Sequence, residues 1–237
     1  MKTIGIIETG RPPDSLMARH GDYPAMIRRW LGVDAAECVT IPVLDGALPG
    51  RPTDADFWVF TGSRCGVYEG HDWIAPLETF IRDCSLAKVR LLGICFGHQL
   101  IAQALGGTVQ KSSKGWGLGV HRYSVDDWDA KLGPRPSELL IEAYHQDQVT
   151  VAPASARVLA GSDFCPHAVL YYQDFALTIQ GHPEFTADYA ADLIELRRGT
   201  VFDDETANKG LATVRDVSNS HLAAETSRTF AALQSLP

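Results

Sequence analysis

Short apolar runs alternate with longer amphipathic stretches through the first half of the chain. The apolar runs have the length of buried strands and are closed by proline or glycine. The amphipathic stretches carry apolar residues at helical spacing. This pattern predicts strands over 3–7, 37–42, 57–61 and 89–95, and helices over 25–31, 73–84 and 99–105. Such alternation is typical of a mostly parallel sheet with helices on both faces.

The pattern changes after Gly107. Short, turn-separated segments predict strands added in antiparallel fashion, over 108–125, 138–144, 157–160, 168–172 and 176–180. From Thr186 onward the chain is rich in alanine and amphipathic, which predicts helices. The predicted fold class is α/β: a flavodoxin-like, three-layer arrangement with a mostly parallel central sheet flanked by helices, and with antiparallel extensions. We expect one domain over 1–237, in which 202–237 form a helical C-terminal extension.

Composition narrows the classes of partner. The chain has 237 residues with 21 basic and 29 acidic side chains, a formal charge of −8. This balance argues against binding to nucleic acid or to an anionic membrane surface. No apolar run approaches the ~20 residues that span a bilayer. Five cysteines without a CxxC pair are typical of free thiols, so we expect a cytoplasmic protein.

One segment places a cysteine between a predicted strand and a predicted helix. In Gly93-Ile94-Cys95-Phe96-Gly97, glycine stands two positions before and two positions after the cysteine. Side chains at those positions would collide in a sharp strand-to-helix turn. The cysteine would project its sulfur beside a helix N-terminus, where the dipole favours the thiolate. Cys95 is therefore a candidate nucleophile; the alternative is a cysteine of the core.

A second segment, Gln-Gly-His-Pro-Glu over 180–184, follows an apolar strand. Extended geometry places residues i and i+2 on one side, and Pro183 disfavours helix at the residue before it. His182 and Glu184 can therefore lie side by side, with the carboxylate fixing the imidazole tautomer. A thiol nucleophile requires such a base and its orienting group. The alternative is a histidine at a strand end beside a helix-capping glutamate.

Together the two segments resemble the class I (triad) glutamine amidotransferases. Further similarity lies in Phe-Thr-Gly-Ser-Arg at 60–64, Gly-Asp-Tyr-Pro at 21–24, Lys-Gly-Trp-Gly at 114–117 and Tyr-His-Gln-Asp-Gln-Val at 144–149. The last three segments look like the free-standing branch of the family, whose members carry no synthetase domain. The resemblance covers roughly residues 4–190.

The resemblance implies a Cys–His–Glu triad made of Cys95, His182 and Glu184. It also implies an oxyanion hole of backbone N–H groups, one from Phe96 and the other from Gly62 or Ser63. Many relatives have Gly-Gly-Pro where this chain has Gly-Ser-Arg at 62–64, so the second donor stays open between these two residues.

Four further residues are implied in substrate binding. In relatives, the position of Gln99 touches the bound glutamyl group; the alternative is a polar residue in the first turn of the helix. The backbone of His145, Gln146 and Asp147 would contact the α-amino and carboxylate groups of the substrate. For these three residues, an ordinary polar loop is an equally good interpretation.

The implied reaction is hydrolysis of the γ-amide of glutamine or of a γ-glutamyl compound, through a γ-glutamyl thioester. One alternative is a γ-glutamyl peptidase acting on γ-glutamyl peptides or conjugates; a less favoured one is a catalytically silent glutamine-binding partner. The expected partners are a small-molecule substrate and, for an ammonia donor, a separate synthetase subunit. The sequence has no ATP or dinucleotide motif and no paired metal ligands, so we expect no cofactor and no metal.

Overall fold

The structure is a computed structural model and describes residues 3–172 and 175–216. Its strands are β1 (Ile4–Glu8), β2 (Cys38–Pro42), β3 (Phe57–Phe60), β4 (Arg90–Ile94), β5 (Thr108–Lys111), β6 (Gly117–Val125), β7 (Glu138–His145), β8 (Asp147–Val151), β9 (Arg157–Gly161), β10 (Val169–Tyr172) and β11 (Ala176–Ile179). Its helices are α1 (Asp14–His20), α2 (Tyr23–Leu31), α3 (Ile74–Ala87), α4 (Phe96–Ala104), α5 (Ala187–Arg197) and α6 (Asp204–Val214).

Nine strands form one sheet in the order β2-β1-β3-β4-β11-β10-β9-β6-β7, while β5 and β8 form a separate antiparallel pair. The first five strands of this order pair in parallel. Strands β10, β9, β6 and β7 extend the sheet through antiparallel pairings. This is the predicted α/β class: a parallel sheet continued by antiparallel strands.

Strand β11 departs from the prediction. The pattern placed it among the antiparallel additions, but it pairs in parallel with β4, Ala176 opposite Leu91 and Ile179 opposite Ile94. Alternation of side chains has the same period in both kinds of sheet, so it does not give strand direction. The parallel pairing has a consequence for the site, because the carboxyl ends of β4 and β11 lie at the same edge of the sheet.

Helices cover both faces of the sheet. On one face, Ile27 of α2 packs with Ile6 and Ile94. On the other face, Leu77 of α3 and Ile101 of α4 join a cluster around the other side of the same strands. The inner parallel strands β1, β3, β4 and β11 are accordingly buried on both faces, which explains their nearly continuous apolar runs, whereas β2 lies at the edge of the sheet and is partly exposed.

Some element boundaries also differ from the sequence prediction. Helix α4 begins at Phe96 instead of residue 99, because the turn at Cys95 starts the helix directly and includes Gly97 in its first turn. The predicted segment 108–125 is divided into β5 and β6, and helix α1 and strand β8 were not predicted. The C-terminal helices are present as α5 and α6, and the rest of the predicted extension, 217–237, lies outside the described residues. Within 3–172 and 175–216, none of the helices has both the length and the apolar character needed to cross a membrane.

Candidate active site

Cys95 occupies a strained junction between β4 and α4. Its backbone has φ 51° and ψ −102°, and it caps the N-terminus of the helix that begins at Phe96. Among the described residues other than glycine, only Lys88 shares a positive φ, and Lys88 ends α3 in ordinary left-handed geometry. The conformation of Cys95, unlike that of Lys88, lies outside the left-handed region and is strained. Such backbone strain is concentrated at functional sites.

The two glycines around Cys95 are required by close backbone contacts. A Cβ on Gly93 would lie 2.7 Å from the carbonyl oxygen of Gly97, and a Cβ on Gly97 would lie 2.5 Å from that of Phe60. Both distances are far shorter than any real Cβ contact. The collision predicted for a strand-to-helix turn is therefore confirmed, and the neighbouring strand β3 adds a second one.

Strand β11 delivers the histidine to this junction. The backbone N–H of Cys95 donates to the carbonyl of Ile179 at 2.8 Å, which joins the end of β11 to the start of the turn. Three residues later, the N–H of His182 donates to the carbonyl of Glu142 on β7 at 2.7 Å. The chain then turns, with the N–H of Phe185 donating to the carbonyl of His182 at 3.3 Å.

His182 and Glu184 are paired as the sequence predicts, although by different geometry. Nδ1 of His182 lies 2.8 Å from Oε1 of Glu184, and both side chains are buried. The sequence pattern predicts extended backbone here, but Pro183 and Glu184 form a turn, which brings the carboxylate back to the ring. Because Nδ1 of His182 is occupied by Glu184, Nε2 is the ring nitrogen left to take a proton from Cys95, a neighbour that also raises the pKa of the histidine.

Two contacts fix the plane of the imidazole. Phe185 stacks on His182 with ring centroids 4.0 Å apart and an interplanar angle of 12°. At the ring edge, a Cβ on Gly62 would lie 2.9 Å from Cε1 of His182 and 3.7 Å from Cβ of Cys95. Gly62 therefore lies directly against both the imidazole and the cysteine.

The electrostatics favour an imidazolium at His182. Burial alone would lower its pKa, but the charges of Glu184 and Cys95, and hydrogen bonds to both, raise the pKa well above that of a free histidine. Burial raises the pKa of Cys84 and Cys165 to about 12, which disfavours a thiolate at either.

The loop after β3 is held in place by two threonines. The N–H of Thr9 donates to Oγ1 of Thr61 at 3.0 Å, and the hydroxyl of Thr9 donates to the carbonyl of Thr61 at 2.8 Å. The carbonyl of Gly62 accepts from Thr61 Oγ1 at 3.1 Å. Oγ of Ser63 accepts from the N–H of Cys65 at 3.2 Å. These bonds anchor the loop that carries Gly62 and Ser63, the two residues predicted to offer the second oxyanion donor, and Gly62 lies beside Cys95.

Gln99, His145 and Asp147 are joined to one another by hydrogen bonds. The carbonyl of Asp147 accepts from Nε2 of Gln99 at 2.9 Å and from Nδ1 of His145 at 3.2 Å. Gln99 also donates to Oε1 of Gln180 at 3.1 Å. Burial, together with nearby histidines, lowers the pKa of His145 to about 3, so its ring is neutral.

The neighbouring Gln146 continues the β5–β8 pairing, in which Asp147 lies opposite Lys111. Its carbonyl accepts from the N–H of Ser112, at the end of β5. The carbonyl oxygens of Gln146 and Asp147 are therefore both engaged within the protein. A role for this segment in substrate binding stays a prediction. Any contact with a substrate would be made by polar groups of the segment other than these two carbonyl oxygens.

Glu142 was not identified from the sequence. Its side chain is buried, Oε2 has no hydrogen-bond partner among the described residues, and its backbone holds His182. Burial raises the pKa of this carboxyl to about 7, an effect that nearby His182 partly opposes. A single acidic residue inside the apolar run of β7 was the available signal.

Phe185 was also missed, although it directly follows the His-Pro-Glu motif. Behind it, Tyr189 meets Phe185 edge-on at 4.5 Å, and the hydroxyl of Tyr189 donates to that of Tyr23 at 3.5 Å. These side chains wall the carboxylate side of the site. Tyr23 is far from Phe185 and Tyr189 along the chain, so the sequence did not indicate that the three side chains meet.

A thiol, an imidazole and a carboxylate in this order, with the thiol at a helix N-terminus, can attack an acyl carbon and stabilise the resulting oxyanion. Elsewhere among the described residues, donor atoms close enough to hold a metal ion occur in Cys65, Glu69 and His71, on the loop after β3. These three residues are distinct from the predicted triad of Cys95, His182 and Glu184.

Comparisons with known proteins identify the family. Residues 66–195 match the family model described as glutamine amidotransferase class-I. The chain is 32% identical to γ-glutamyl peptidase 4 of Arabidopsis thaliana over 193 residues, 77% of this chain and 76% of that protein. It is 30% identical to a glutamine-hydrolyzing GMP synthase subunit of Halobacterium salinarum over 167 residues, 70% of this chain and 85% of that protein.

Among solved structures, a glutamine amido transferase from Methylobacillus flagellatus superposes with a TM-score of 0.75. The superposition covers 97% of this chain and 94% of the other, at 20% sequence identity. At that identity, the likeness shows a shared fold. The fold extends well beyond the segment that the family model matches.

Proposed function

The chain belongs to the class I glutamine amidotransferases. We propose that its residues Cys95, His182 and Glu184 hydrolyse a γ-glutamyl amide bond of a substrate. The observation that carries this proposal is the meeting of two parallel strand ends. One ends in a cysteine at a strained, glycine-flanked turn, and the other leads to a histidine paired with a buried glutamate at 2.8 Å.

The first half of the reaction forms a thioester. His182 takes the thiol proton and Glu184 stabilises the imidazolium, which the raised pKa of His182 favours. The sulfur of Cys95 attacks the γ-carbonyl carbon. The oxyanion accepts hydrogen bonds from the N–H of Phe96, at the start of α4, and from that of Gly62 or Ser63.

The second half releases both products. The imidazolium of His182 gives its proton to the leaving nitrogen as the carbon–nitrogen bond breaks. The same imidazole then takes a proton from water, whose oxygen attacks the thioester carbon. The carbon–sulfur bond then breaks and the imidazolium returns its proton to the sulfur, which releases glutamate and restores the thiol of Cys95, so no external oxidant or reductant is needed.

We propose a γ-glutamyl peptide as the substrate, with no partner protein needed for turnover. The similarity to a γ-glutamyl peptidase over three quarters of both chains supports this substrate class. A second candidate is a protein that hydrolyses glutamine to supply ammonia to a separate synthetase. The similarity to one subunit of a GMP synthase supports that candidate.

Steady-state rates with the purified chain alone distinguish the two. Glutamine and a panel of γ-glutamyl dipeptides are compared, with α-glutamyl dipeptides as controls for the linkage. We expect glutamate release from γ-glutamyl dipeptides at a higher kcat/KM than from glutamine, and none with Cys95→Ala. Turnover of glutamine alone, or only after a synthetase is added, favours the ammonia donor. Unchanged turnover in Cys95→Ala rejects the triad itself.

A further inference from the structure

Three side chains with metal-binding donors converge on the loop between β3 and α3. The sulfur of Cys65, a carboxylate oxygen of Glu69 and a ring nitrogen of His71 all lie within 4.8 Å of one another. They differ in chemical type: a thiol, a carboxylate and an imidazole. Cys65 is half-buried, while Glu69 and His71 are exposed, so an ion from solvent can reach them.

The loop holds these donors in place without a metal. The N–H of Glu69 donates to the carbonyl of Gly66 at 3.1 Å, which closes a turn between Cys65 and Glu69. Nε2 of His71 lies 3.1 Å from Oε2 of Glu69. The imidazole of His71 stacks flat on Trp73, with ring centroids 5.5 Å apart and an interplanar angle of 3°.

We propose that Cys65, Glu69 and His71 form a binding site for a divalent zinc-type cation. Zn²⁺ accepts sulfur, nitrogen and oxygen donors together, with ligand distances of about 2.0–2.3 Å and tetrahedral geometry. The ion would take the place of the proton shared by His71 and Glu69 and of the thiol proton of Cys65. Water would complete the four ligands. The sequence gives no signal for this set, because Cys-x3-Glu-x-His is not one of the paired spacings typical of zinc sites.

The site is separate from the triad but touches the same loop. Cys65 lies two positions after Ser63, and the backbone N–H of Cys65 donates to Oγ of Ser63. Gly62 lies directly before Ser63 on the same loop. From His71, the contact runs through Trp73 to Phe96, with ring centroids 5.4 Å apart. Phe96 is the residue after Cys95. A bound ion would therefore stiffen both the segment that offers the oxyanion donors and the packing at the start of α4.

Zinc binding is measured by calorimetry on the full-length Cys95→Ala protein, because Cys95 and His182 could themselves bind a thiophilic ion. We expect one equivalent of Zn²⁺, with release of a proton from Cys65 and weaker binding at lower pH. Adding Cys65→Ala or His71→Ala should weaken binding at least about tenfold. The matched control is Cys38→Ala, which removes another half-buried thiol and should leave binding unchanged.

Two spectroscopic readouts locate the ion. With Co²⁺ in place of Zn²⁺, the Cys95→Ala protein should show thiolate-to-metal absorption, which Cys65→Ser abolishes. Zn²⁺ should also change tryptophan fluorescence through the ring stacked on His71, and Trp73→Phe should remove that change. Absence of stoichiometric zinc binding overturns the proposal. So does binding that is equally tight in folded Cys65→Ala and His71→Ala proteins, whose folding is checked by thermal melting.

Discussion

The backbone N–H of Cys95 donates to the carbonyl of Ile179 at 2.8 Å, so the nucleophile and the strand that carries His182 are joined by one hydrogen bond. Because β4 and β11 run in parallel, the segments that follow them leave the sheet at the same edge. The bond fixes Cys95 relative to a residue only three positions before His182. The site is thus built from backbone geometry, and its side chains are positioned by their strands.

Gly62→Ala should reduce activity without unfolding the protein. The new methyl group would lie 2.9 Å from Cε1 of His182, so the imidazole must move away from Cys95. Displacement of a catalytic group by about 1 Å costs on the order of 10²-fold in rate. We expect kcat/KM to fall by about 10–100-fold while the melting temperature changes little. The neighbouring Ser63→Ala, which keeps its backbone N–H, should lose much less; equal losses would refute the steric argument.

Gly97→Val should lower both stability and activity. Its Cβ would lie 2.5 Å from the carbonyl oxygen of Phe60, which is backbone and cannot rotate away. We expect a loss of about 1–3 kcal/mol in the free energy of unfolding, visible as a lower melting temperature, together with loss of turnover. Cys95→Ala is the control, since it removes the thiol and keeps both glycines. A Gly97→Val protein with wild-type melting temperature and rate would show that the turn has no role in placing the sulfur.

The three triad residues should not be equivalent. Cys95→Ala and His182→Ala remove the nucleophile and the proton carrier, so turnover should disappear. Glu184→Gln keeps the shape but removes the charge that raises the pKa of His182. The imidazolium should then lose its proton at a lower pH, which shifts the alkaline limb of the pH profile of kcat/KM to lower pH. We expect a rate reduced by roughly 10²–10⁴-fold but measurable; a profile that stays in place would argue against this role of Glu184.

Glu142 should make stability fall as pH rises. Its folded-state pKa of about 7 lies above the ordinary value of 4.5, so the folded protein holds this proton more tightly. No stability is lost below the unfolded pKa, and the loss is complete above the folded one. Between pH 5 and pH 8, the free energy of urea unfolding of the wild type, measured relative to that of Glu142→Gln, should fall by on the order of 2–3 kcal/mol, because other buried groups contribute equally to both proteins. Glu138→Gln, on the same strand but paired with Arg122, should retain the decrease.

Local signals predicted the parts of the site that are close together along the chain. The glycines around Cys95 indicated a strand-to-helix turn, because the contact that requires Gly93, with the carbonyl of Gly97, lies within five residues; the contact of Gly97 with Phe60 on β3 could not be seen in this way. His182 and Glu184 were paired by their spacing, although the turn at Pro183 had been expected to be extended. The helix start at Phe96 was missed because Gly97 is an unfavourable helix residue, and the packing of the turn overrides that preference.

Contacts between distant segments could not be predicted in the same way. The direction of β11 does not appear in its apolar pattern, yet it places His182 beside Cys95. The approach of Gly62 to the imidazole joins residues 120 positions apart. Glu142 is a charge within an apolar strand, but its position beside His182 depends on how β7 and β11 are arranged.

The most direct test of the proposed mechanism is to trap the thioester. The wild-type protein is acid-quenched during turnover of a γ-glutamyl dipeptide and digested, and its peptides are analysed by mass spectrometry. The mechanism predicts a γ-glutamyl adduct on the peptide that contains Cys95, lost on mild hydroxylamine treatment and absent from Cys95→Ala. A γ-glutamyl adduct on Cys65 or another residue, with Cys95 unmodified while glutamate is released, would contradict it.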